Sequence, residues 1–122
     1  MFKKGQTVVL IKMWNKATAY TQACTVKSWG KQQGTLELVS NGKMIEERIY
    51  TTKLGTWFTV CKPEDAEAVA MQFATENYNR EVRSCETCLS NPHDAYQNPY
   101  YRKSIQDKLD ELKSQAPAVI NK

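Results

Sequence analysis

The hydrophobic period of this chain changes at Lys62, which restricts it to folds with a small sheet first and helices after it. Up to that point apolar residues come in short runs or strict alternation. Beyond it, Ala66, Val69, Ala70, Phe73 and Ala74 recur at the three-and-four spacing of one helix face. Val8-Val9-Leu10-Ile11, rich in β-branched residues and preceded by Gly5, reads as a first strand. A polar stretch, 15–18, leads to a second strand over 20–29, with Cys24 and Val26 on one face. Leu36 and Leu38 alternate with Glu37 as a third strand. Asn41-Gly42 then signals a hairpin, because both residues tolerate the positive φ of a tight primed turn. The return strand runs over about 43–51, with Ile45 and Ile49 facing inward, and 57–61 forms the last strand. Five short strands joined by tight turns predict a small closed or nearly closed barrel, since closure removes exposed strand edges.

Pro63 suits a first helical position, and Glu64, Asp65 and Glu67 complement the positive end of a helix. The stripe continues through Tyr78, Val82 and Leu89 until Ser90-Asn91-Pro92 stops it. Asn98-Pro99 caps and opens a second helix with Ile105, Leu109 and Leu112 on one face. Ala116-Pro117 ends it, and the residues beyond read as a loose tail. The expected class is therefore α+β: a barrel over 1–61, and a helical extension over 62–122 packed on it in one compact unit. A chain of 122 residues buries enough surface to need no metal or disulfide staple.

Charge is unevenly divided. Residues 1–61 carry a net +6 and all three tryptophans, whereas 62–122 carry a net −2. Within the basic half one pattern occurs twice, Lys12-Met-Trp14-Asn-Lys16 and Lys27-Ser-Trp29-Gly-Lys31. On an extended strand alternate residues share a face, so each segment presents lysine, tryptophan, lysine together. Ammonium groups beside an indole suit a phosphate next to an unpaired base. The competing reading makes each Trp a barrel-edge core residue flanked by solvated lysines. Trp29, at a strand end before Gly30, is expected to stay half exposed; Trp57, beside Phe58, is expected to be buried. Tyr100 and Arg102, at the start of the second helix, are a further candidate contact patch, with Tyr101 turned inward beside Ile105.

Catalytic and metal chemistry find little to work with. His93 is the one histidine, so no triad or two-histidine metal centre assembles. Glu46 and Glu47 are strand neighbours facing opposite sides, and the turn glycines Gly30 and Gly34 lack the helix that a phosphate loop requires. Cys85-Glu86-Thr87-Cys88 with His93, and Asp94 beyond it, is a poor zinc set: two cysteines on a helix end rather than on a knuckle. No cofactor and no metal are expected, and the chain reads as a non-enzyme. No apolar run reaches the roughly 20 residues of a membrane span. Met1–Gly5 has no cleavage pattern behind it, so a cytoplasmic protein with reduced cysteines is expected.

Lys4-Gly5-Gln6-Thr7-Val8-Val9-Leu10, followed by the glycine-containing stretch Val26 through Gly34, resembles an SH3-like barrel. Within that group it is loosely similar to the KOW-type modules of ribosomal and transcription-elongation proteins. The resemblance covers residues 1–61 and implies a five-stranded SH3-like barrel there. Length between the two stretches, 13–20, exceeds the compact KOW pattern. The favoured function is nucleic-acid binding (DNA or RNA) through Lys12, Trp14, Lys16, Lys27, Trp29 and Lys31, largely without base specificity. The alternative is a protein-interaction module, a small inhibitor or adaptor of a larger enzyme such as phages and other mobile elements carry.

Overall fold

The computed structural model describes residues 2–93 and 97–121. Among the described residues six strands form one sheet: β1 (Thr7–Met13), β2 (Thr18–Trp29), β3 (Gln33–Ser40), β4 (Lys43–Tyr50), β5 (Phe58–Cys61) and β6 (Ala118–Asn121). Two helices, α1 (Ala66–Ser90) and α2 (Pro99–Lys113), lie between β5 and β6. The antiparallel order is β4-β3-β2-β1-β5, and β6 joins β2 in parallel. The class is α+β, as the change of period at Lys62 requires. The Asn41-Gly42 turn has φ of 53° and 77°, both positive as a primed hairpin demands.

β1 is buried on both faces, which is why its apolar run is continuous rather than alternating. Val8 and Leu10 pack with Cys24, Val26, Leu36, Leu38, Ile49 and Val60 on one side of the sheet. Val9 and Ile11, with Ala19 of β2, face the other way and are covered by Ala70, Phe73 and Ala74 of α1. The first of these faces is concave. Lys12 of β1 reaches Glu47 of β4 in an ion pair across the two intervening strands. In a flat sheet those strands stand roughly 14 Å apart, so the contact requires a strong curl. Among the described residues no ladder joins β4 to β5, and by its hydrogen bonds the sheet is an open one.

The tail expected to be loose is a strand. β2 is 12 residues long, and β3 covers its outer edge only over Thr25–Trp29. That leaves Thr18–Thr21 with backbone groups to satisfy, and β6 pairs there. The Ala118 N–H donates to the Ala17 carbonyl at 3.0 Å, and the Thr21 hydroxyl donates to Asn121 Oδ1 at 2.7 Å. Val119 packs into the same core as Phe73.

At 25 residues α1 is about 37 Å long and overruns the sheet. Its second half therefore packs on α2 instead, with Cys85, Leu109 and Leu112 buried among Tyr78, Val82, Leu89 and Ile105. Asn98 caps α2 by accepting from the Tyr100 and Tyr101 N–H groups. Arg102 donates from Nη1 to the Leu89 carbonyl at 2.8 Å, satisfying one of the open carbonyls at the end of α1.

Candidate nucleic-acid interface

The two Lys-Trp-Lys segments do not form matching faces, and a single residue separates their fates. Lys12 lies on the concave side with Val8 and Leu10, in register with Phe58. It is half-buried and paired to Glu47, and burial pushes its ammonium below the ordinary lysine value. Trp14 follows just beyond the ladder, 59% exposed, its ring edge-on to Tyr20 at 6.3 Å. Lys16 sits in the β1–β2 turn near Lys108 of α2, and that neighbouring side chain holds the Lys16 ammonium below its usual range.

In β2 the ladder slips by one residue: Val26 opposes Leu36, but Ser28 opposes Thr35, leaving Lys27 as the extra residue of a bulge. A one-residue slip exchanges faces for all that follows. Lys27 stays on the outer side, paired with Glu46, whose carboxyl the Lys27 ammonium holds below its normal value. Trp29 is carried to the concave side, opposite Gly34. There it packs against the core, edge-to-face with Phe2 at 4.9 Å. Trp29 is half-buried, as its place at the strand end predicted, but the expectation that it shares a face with Lys27 and Lys31 is thereby corrected. Glu46 and Glu47 do face opposite sides, and each neutralises one lysine of one segment.

Trp57 reverses the other way. Expected in the core, it is 84% exposed. Period two carried the signal: with Phe58 packed on the concave core and Val60 buried in it, Phe58 and Val60 mark the inward set and Trp57 the outward one. Trp57 and Trp14 leave the same end of the β1–β5 ladder, whose last pair is Lys12 with Phe58. Tyr50, Lys53, Thr56, Trp57 and Phe58 line a cleft of about 320 Å³.

Lys31 is exposed in the β2–β3 turn, which the Thr51 hydroxyl ties to the β4–β5 connection by donating to the Lys31 carbonyl at 2.6 Å. The turn holding Lys3 and Lys4 is fixed to the same end of β2, with the Gly5 N–H donating to the Val26 carbonyl at 2.8 Å. Lys3, Lys4, Lys31 and Lys53 are exposed, and none forms an ion pair among the described residues.

Of the second candidate patch, Tyr100 is 87% exposed, whereas the Arg102 guanidinium is spent on the end of α1. Tyr101, expected to face inward, is 40% exposed. Cys85 is buried between the helices, Cys88 half-buried and His93 exposed; Asp94 lies outside the described residues. Among the described residues no three His, Cys, Asp or Glu side chains are grouped to hold a metal ion, and no helix is long and apolar enough to cross a membrane. No protein-family model matches the chain, and neither a curated protein nor a solved structure does.

Proposed function

We propose that this chain is a small nucleic-acid-binding module, a binding protein rather than an enzyme, and that its curled sheet is an SH3-like barrel, loosely of the KOW type. The observation that carries the functional reading is the imbalance of ion pairs in the sheet half. Two of its three carboxylates are spent on Lys12 and Lys27, while Lys3, Lys4, Lys31, Lys43 and Lys53 stand exposed and form no ion pair among the described residues. Unpaired surface cations are what a phosphate backbone requires, and releasing its counterions supplies salt-dependent affinity. The barrel reading is supported by the strand order β4-β3-β2-β1-β5 and by the 3-10 turn at Thr51–Lys53 before the last of these strands.

The test is binding of a labelled oligonucleotide across a salt series. Changing Lys3, Lys4, Lys31 and Lys53 to Ala should flatten the slope of log affinity against log salt by about three units. Changing Lys12 and Lys27, already committed to glutamates, should alter it far less. An unchanged slope in the first variant, or no binding by the wild type, defeats the reading. A protein partner is the second reading. It is favoured by Val39, Met44 and Ile45, which are 57%, 64% and 41% exposed beside the uncovered edge of β4.

A further inference from the structure

We propose that the cleft beside Trp57 takes one unpaired base of a single-stranded nucleic acid, stacked on the indole, with the adjoining phosphate met by Lys53. This deepens the nucleic-acid reading above and rests on it. The starting point is the cost of the arrangement: an indole 84% exposed gives up burial that a chain with two apolar sheet faces could readily have supplied.

The ring is presented on a fixed support. The Gly55 N–H donates to the Phe58 carbonyl at 2.8 Å, and the Thr56 N–H to the Lys53 carbonyl at 3.2 Å. Gly55 adopts φ of 86°, a conformation that other residues reach only under strain. Leu54 and Phe58, on either side of this turn, are packed on the concave core. Trp57 therefore projects from a braced loop, and little ordering has to be made up when a ligand arrives.

The chemistry of the walls selects the ligand. Tyr50, 65% exposed, and Phe58 add aromatic surface, and Lys53 brings the charge. Among the described residues no carboxylate lines the cleft, which suits an anionic ligand and disfavours a cationic peptide. Lys31 lies close by along the Thr51 connection, so a strand leaving the cleft meets further positive charge. Bases inside a duplex are stacked on both sides and offer no free face. An unpaired base offers both, and every base has one, so the contact tolerates sequence.

The probes are a labelled oligothymidylate of about 12 nucleotides and an abasic oligomer of equal length, which carries the same phosphates without bases. Wild type should prefer the thymidylate by about 5- to 150-fold, the range for one stacked base. Trp57→Ala, at an exposed position, should keep the wild-type unfolding midpoint yet bind both oligomers alike. Trp57→Phe should retain part of the preference, and Tyr50→Ala should reduce it. Should wild type bind both oligomers equally well in a salt-dependent way, or Trp57→Ala keep the full preference, the cleft is not a base site although nucleic-acid binding stands. Failure of wild type to bind either oligomer removes both readings.

Discussion

Gly34 has no side chain because the Trp29 ring already fills the place of a Cβ. A methyl group there would sit 2.7 Å from Trp29 Cε3, and the ring is held by Phe2 and the sheet core rather than free to swing. A bare glycine inside a strand is costly by itself, and here the indole lying across it returns apolar contact. Trp29→Ala should therefore cost about 2–4 kcal/mol, toward the lower side of the range for a core aromatic because the ring is only half-buried. Gly34→Ala should cost about 1–3 kcal/mol by overpacking. Removing the ring also removes the obstacle, so the double variant should lose clearly less than the two single losses combined. Urea unfolding of all four proteins measures the coupling; additive losses would mean that the ring and the glycine are independent. The sequence-level expectation that Trp29 shares a face with its flanking lysines failed for one physical reason. Alternation predicts faces only while the ladder stays in register, and the slip at Lys27 carries no composition signal of its own. Trp57 was legible from the same alternation once Phe58 and Val60 were taken as the inward set.

Elements with strong local signals were legible and those fixed by long-range pairing were not. The Asn41-Gly42 hairpin, the capping pair Asn98-Pro99 and the stripe from Ala66 to Ala74 each announce themselves within a few residues, and each is present. β6 does not. Ala118–Asn121 is short and follows a proline, and its partner lies a hundred residues earlier in the chain. What makes it a strand is the unpaired edge that β2 leaves at Thr18–Thr21, a property of the sheet rather than of the tail. Strand geometry gives a direct check through alternation. Val119 faces the α1 side among Phe73 and Ala74, whereas Ile120 is 43% exposed. Val119→Asp should lower stability by about 1–3 kcal/mol, the cost of putting a carboxylate against apolar groups. Ile120→Asp should stay within about 0.5 kcal/mol of wild type. A loose tail would leave both substitutions neutral in thermal unfolding.

At the scale of the whole molecule, the division of the sequence at Lys62 separates two kinds of period, and the packing shared across it predicts that the two halves fold as one unit. The outer face of the sheet, Val9, Ile11 and Ala19, is apolar because α1 covers it, and β2 keeps its edge paired because β6 returns from beyond α2. Cutting after Cys61 would leave the concave core intact while baring that outer face and the Thr18–Thr21 edge together. Apolar area and an open strand edge in one place are what promote association between copies. The fragment 1–61 should therefore bind a hydrophobic dye, self-associate at micromolar concentration and show no sharp unfolding transition. In the full chain the two halves should melt as one. With Trp14 and Trp57 changed to Phe, the fluorescence of Trp29 reports the sheet core, and its curve should coincide with that of far-ultraviolet circular dichroism, dominated by α1 and α2. Phe73→Ala tests the same coupling without cutting the chain. It removes the ring that α1 lays on Val9 and Ile11, and should shift both curves down together, by about 3–5 kcal/mol. If only the helical signal moved, or if 1–61 proved to be a monomer with its own cooperative transition, the sheet would be a self-sufficient domain and α1 merely attached to it.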